Sequence, residues 1–331
     1  MTQAANYQVH QVVTDGIDVV QLSDALHGAE VLVAPPVGNM AYRYRNGGED
    51  VLYFPFNSPA ELRAKPTFCG VPFLAPWANR LDSEAYWAND KHYLLNPKLG
   101  NLRRDAHQNP IHGLLNFSPH WKLVMTGADD QSAWTTSQLD FAIHPDLMAQ
   151  FPFAHTITMT HRLSGGELLV ETALANHSAE PLPVAIGYHP YLCLPGVPRD
   201  RWTAHLAARD HVELSELLIP TGKSHPIEFS DPYPLKGAVL DDVFGNLIRD
   251  PDGCARFWVE GGGRRITVTY GPKYPVAIAY APAGHDYMCF EPMAALTNAF
   301  NLAHDGGYKE LQSVAPGETW QESFRVGLTR L

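Results

Sequence analysis

The sequence is poor in cysteine: Cys69, Cys193, Cys254 and Cys289 are widely spaced, with no CxxC pair among them. That excludes a disulfide-stapled scaffold and a Cys-based zinc module, and the four read as reduced thiols of a cytoplasmic protein. No apolar run approaches the roughly 18 residues that a membrane-spanning helix needs. The first twenty residues lack the basic start, apolar stretch and cleavage site of a secretory leader, which again points to the cytoplasm. Basic residues are short too: 24 Lys+Arg stand against 35 Asp+Glu, a formal charge of −11. Such a chain has no electrostatic term to hold nucleic acid or an anionic membrane, so neither is an expected partner and a small molecule is. There is no GxGxxG after a strand, no GxxxxGK[ST] and no GxSxG elbow, so no nucleotide cofactor is expected.

What the sequence has is apolar material and turn formers. Hydrophobic residues make up 45% and charged residues only 18%, enough for a sizeable core. The 26 glycines and 27 prolines are spread throughout, separating short runs of period-2 or continuous apolar character, the rhythm of many strands. Strands are predicted at Ile17 to Leu22, Val31 to Ala34, Trp121 to Thr126, Phe153 to Leu163, Leu168 to Asn176, Ile266 to Tyr270, Val276 to Tyr280 and Trp320 to Leu328. Ser58-Pro59-Ala60-Glu61 reads as a capping box opening a short helix to about Lys65, and Asp146 to Gln150 as another turn of helix. Strands do not alternate with long amphipathic helices, so the expected class is all-β, mostly antiparallel. No composition shift marks a boundary, and residues 1–331 read as a single domain.

Two segments share a local design. Val184 to His189 and Tyr287 to Glu291 are apolar runs that end in one ionisable residue followed by Pro190 or Pro292. Proline interrupts a central ladder, so both strands are expected to end there, with His189 and Glu291 at their tips. A carboxylate on so apolar a strand is desolvated, which raises its pKa toward that of a general base; the alternative is a structural ion pair. His112 lies in the turn Asn109-Pro110-Ile111-His112-Gly113, where glycine permits close backbone approach. His107 and His112 fit no zinc spacing, so no metal is expected. In Pro72 to Arg80, Trp77 offers an indole face and Arg80 a donor fork. Asp241 and Asp242 read as hydroxyl acceptors or a solvated turn, Arg103-Arg104 as a surface pair or a contact for a phosphorylated ligand, and Gly261-Gly262-Gly263 as a hairpin connection.

Taken in order, the stretches PFLAPWANRLDSEAYW, NPIHGLLNFSPHW, VAIGYHPYLCLPG, LDDVF and YMCFEPMAALTNAFN resemble the aldose 1-epimerase (galactose mutarotase-like) family, over about two-thirds of the chain. The resemblance implies a large antiparallel β-sandwich, the galactose mutarotase-like supersandwich. It also implies a cofactor-independent, metal-free isomerase that interconverts the α and β anomers of an aldohexose. By motif, the family's residues fall on Arg80, His112, His189, Asp241 (with Asp242 as rival) and Glu291. Opening a hemiacetal ring needs a base at the O1 hydroxyl and an acid at the ring oxygen O5. The resemblance gives Glu291 the first role and His189 the second. His112 then polarises O5, while Arg80, Asp241, Asn79 and Trp77 bind the sugar. Gly-Tyr-His-Pro-Tyr-Leu around His189 departs from the Asn-His of galactose mutarotases proper. An unphosphorylated aldohexose is the expected substrate, since only Arg103-Arg104 hints at the basic cluster a phosphate would want; a hexose 6-phosphate and a non-catalytic sugar-binding protein on the same scaffold are the alternatives. Oligomeric state is left open.

Overall fold

A computed structural model describes residues 6–331. Three antiparallel sheets form the body. The first is a meander of Tyr7–Thr14, Ile17–Asp24, Ala29–Ala34, Met40–Asn46 and Glu49–Asp50. The second is nine-stranded and is centred on Arg264–Tyr270, Thr319–Arg330, Glu167–Asn176 and His155–Ser164. The third, eight-stranded, carries the chemistry. It runs from Pro220–Pro226 through Ala208–Leu214, Leu240–Leu247, Val276–Ala281, Met288–Met293 and Gly187–Tyr188 to Phe73–Leu74, with Tyr191–Leu192 beside Met288–Met293. The α-helices among the described residues are three short ones, Pro59–Ala64, Pro145–Gln150 and Ala299–His304, and none is long and apolar enough to cross a membrane.

Alternation along the strands builds the core. Tyr188 and Phe290 of the eight-stranded sheet meet Phe324 and Phe257 of the nine-stranded sheet, with ring centroids 4.7 and 5.6 Å apart. The Tyr188 hydroxyl is hydrogen-bonded to that of Thr172 across the same layer. Because side chains of a strand alternate between faces, the residues next to Tyr188 and Phe290 go to the opposite face of their sheet. Those residues are His189 and Glu291.

The predicted strands form with ends shifted by at most a few residues, and Gly262-Gly263 is the two-residue connection between Ala255–Gly261 and Arg264–Tyr270. Two local expectations are corrected. Ser58 stands at the helix N-terminus without a side-chain cap bond, and the Glu61 carboxylate accepts instead from the backbone and side-chain nitrogens of Asn57. The strand Met288–Met293 passes through Pro292 instead of ending at Glu291. On one side Pro292 stays in register with Ala277. On the other, the neighbours are the two-residue strands Gly187–Tyr188, which pairs at Met293, and Tyr191–Leu192, which pairs at Met288 and Cys289, so the missing N–H interrupts no long ladder.

Candidate active site

The strand period sorts the two adjacent aspartates. Leu240 and Phe244 point into the core, and Asp242 shares their parity; its carboxylate meets His211 Nε2 at 2.8 Å. Asp241 points to the other face, in register with Tyr280, and together with Glu291 it lines a pocket of about 230 Å³. Asp241, not Asp242, lines the pocket, and the segment is a strand, not a turn.

Arg80 comes to the pocket on an irregular loop that is held at both ends. Its carbonyl accepts from Asn298 N at 3.0 Å, and it bridges to Ile111. Its Nε donates to Asp105 at 2.8 Å and its Nη2 to Asp241 at 3.4 Å, so the guanidinium is fixed between two carboxylates. The neighbouring Asn79 carbonyl accepts from His112 N at 2.8 Å, which ties the arginine loop to the histidine turn. Both Asn79 and His112 have positive φ, 53° and 62°, a conformation that non-glycine residues keep only where surroundings impose it.

At the centre of the pocket His189 Nε2 lies 3.2 Å from Glu291 Oε1. The imidazole is stacked on Tyr191, 4.5 Å between centroids, and stands edge-on to His112 at 5.7 Å. His112 Nδ1, His189 Nδ1 and Glu291 Oε2 are buried and find no hydrogen-bond partner among the described residues. A buried polar atom without a partner is costly, and three around one hollow mark a place where a polar ligand completes the bonding. Burial, reinforced by the Asp241 charge and opposed by Arg80, pushes the Glu291 carboxyl well above its ordinary range. Burial also takes His189 down to about 3, and His112 well below the usual imidazole value.

Of the sequence-predicted residues, Arg80, Asn79, His112, His189, Asp241 and Glu291 line this pocket. Trp77 does not. It is 1% exposed, its indole packs toward Tyr86 and its backbone bridges to Ala185. With its ring faces covered it cannot stack on a sugar, so its expected binding role is corrected to a core role. Sequence reasoning missed Asp105, Phe68 and Tyr280, which also line the pocket. Asp105 had a local signal, a carboxylate opening a turn by accepting from the backbone of His107 and Asn109; Phe68 and Tyr280 had none.

A family model for aldose 1-epimerase matches residues 42–327. The chain belongs to the aldose 1-epimerase family. Among curated proteins, this family member is similar to Escherichia coli YphB, 25% identical over 266 residues that cover 76% of this chain and 82% of YphB. Its fold matches a galactose mutarotase-like protein from Clostridium acetobutylicum with a TM-score of 0.87 at 18% identity, covering 98% of this chain and 99% of that one. It also matches the galactose 1-epimerase of Lactobacillus acidophilus with a TM-score of 0.75 at 16% identity, covering 99% of both chains. At these identities the likeness establishes the fold, that of the galactose mutarotase-like sandwich.

Proposed function

We propose that this aldose 1-epimerase family member interconverts the α and β anomers of an aldohexose by acid–base opening and reclosure of the ring. The observation that carries the reading is the His189–Glu291 contact at 3.2 Å inside a pocket with three unpartnered buried polar atoms. Opening removes a proton from O1 and delivers one to O5, while the C1–O5 bond breaks and C1 becomes an aldehyde. The Glu291 carboxylate takes the O1 proton and the His189 imidazolium gives its own to O5, so the pair holds one proton before and after. Rotation about C1–C2 and reversal of both transfers closes the other anomer. The raised Glu291 and lowered His189 pKa values make the neutral pair the resting form, so opening starts from the less populated ion pair and closure from the neutral pair. His112 helps place O5, and Arg80, Asp241 and Asn79 hold hydroxyls. Positioned acid–base groups contribute about 10²- to 10⁴-fold each.

The test is polarimetry of freshly dissolved α-D-glucose and α-D-galactose. The wild type is expected to hasten the approach to the same final rotation, and Glu291→Gln to slow that by at least about 100-fold. Equal rates for the two proteins would remove Glu291 from the mechanism.

A further inference from the structure

Three arginines line the pocket, and two are already committed. Arg80 is held by Asp105 and Asp241. Arg104 is held by Glu84 and the Gln108 carbonyl. Arg103 differs: its side chain makes no hydrogen bond or ion pair among the described residues, and its guanidinium lies over the rings of Phe68, 4.3 Å from the centroid, and Phe117, at 5.9 Å. The aromatic shelf fixes a planar donor fork in place while leaving its N–H groups unspent. The position is half-buried, and burial draws the Arg103 pKa down, the mark of a cation that has lost water without gaining a counter-charge.

Arg103 also stands between two hollows. It lines the 230 Å³ pocket of Glu291 and His189, and a neighbouring recess of about 410 Å³ bordered by Asn101, Asn116, Phe117 and Ser118. A substituent reaching out of the first pocket toward the second would pass the guanidinium.

We infer that Arg103 is a specificity residue that takes an anionic group, a carboxylate or a phosphate, carried on an exocyclic position of the sugar. The inference rests on the proposed sugar site and narrows its substrate to a charged aldose. A fork of N–H donors matches two oxygens of either anion, and a charge-assisted pair at a half-dry site discriminates strongly against a neutral hydroxymethyl group.

The experiment compares anomer exchange, followed by NMR, for D-galactose and D-glucose, their uronates, and D-glucose 6-phosphate, in wild type, Arg103→Gln and Arg103→Lys. In the wild type, kcat/KM is expected to favour one anionic class over the neutral sugars by about 10- to 100-fold. The uronate and phosphate arms tell which class. Arg103→Gln is expected to reduce the anionic-to-neutral ratio at least about tenfold, mainly through KM, and Arg103→Lys to recover part of it. Neutral and anionic sugars falling together in Arg103→Gln, or a wild type without anionic preference, would overturn the inference. Calorimetric binding of the same sugars separates it from the catalytic reading. If no sugar is turned over but an anionic one binds and Arg103→Gln weakens it selectively, the anion site stands and the catalytic reading fails. If none binds, both fail.

Discussion

Glu291 is 1% exposed, and its cost to the fold follows from the direction of its pKa. The carboxyl binds its proton more tightly in the folded chain than in the open one. At pH values below the ordinary carboxylate range both states are protonated and the fold loses nothing. As pH rises from there through the raised pKa, the unfolded chain ionises freely while the buried group resists, and stability declines by up to about 1.4 kcal/mol per pH unit. Glu291→Gln has no charge to bury. Its urea midpoint at pH 8 is expected to exceed that of the wild type, by the equivalent of about 1 kcal/mol or more, with the gain shrinking toward zero near pH 4.5. A variant less stable than wild type at pH 8 would show that the carboxylate is a structural ion, as in the competing reading of its local sequence. At this scale the sequence was informative where chemistry and local context coincide, as at His189, Glu291 and His112, and misleading at Trp77. A tryptophan in a proline-rich loop looks the same whether its ring faces a cleft or the core.

The elements of the site owe their positions to close backbone contact. Gly113 follows His112 at φ 66°, and its chain runs against the Ala75 segment, where Leu114 N donates to the Ala75 carbonyl at 2.7 Å. A Cβ at Gly113 would overlap that carbonyl, which is backbone and cannot swing away. Gly113→Ala is therefore expected to cost at least about 2 kcal/mol and to displace the turn that carries His112. Thermal denaturation and polarimetry on one preparation check both parts, and a Tm within a degree of wild type would refute the packing argument. The two ten-residue strands were legible because His155–Ser164 and Glu167–Asn176 alternate buried and half-buried positions almost throughout. Two-residue strands such as Phe73–Leu74, Gly187–Tyr188 and Tyr191–Leu192 are too short to show a period. They are strands only because distant partners pair with them, and the same long-range pairing brings Phe68, Asp105 and Tyr280 to the pocket. The proline rule failed at Pro292 for a related reason, since the length of the neighbouring strand cannot be read from the residues around the proline.

Across the whole molecule, one apolar cluster joins Val20 and Tyr44 of the first sheet to Tyr188 and Phe290 of the third and Val326 of the second. The fold also buries histidines that do not line the candidate pocket. His155 and His161 are 3% and 1% exposed, and burial lowers their pKa values to about 4 and about 3. Both are neutral in the fold and take up protons only once the chain opens, so the unfolded state binds more protons as pH falls below the ordinary imidazole range near 6.5. Their stability contribution is complete above that pH and is lost progressively down to the lowered values. Between pH 7.5 and pH 5 each should remove about 2 kcal/mol, enough for two side chains to shift a fold of ordinary marginal stability. Urea unfolding at those two pH values is expected to show a lower midpoint at pH 5. His161→Gln is expected to narrow the gap between the two midpoints even if its own stability at pH 7.5 is reduced, because glutamine does not titrate. Equal midpoints in the wild type would mean that these histidines reach water in the native state. A gap unchanged in the variant would move the acid sensitivity to the other buried histidines, His155, His189 and His112.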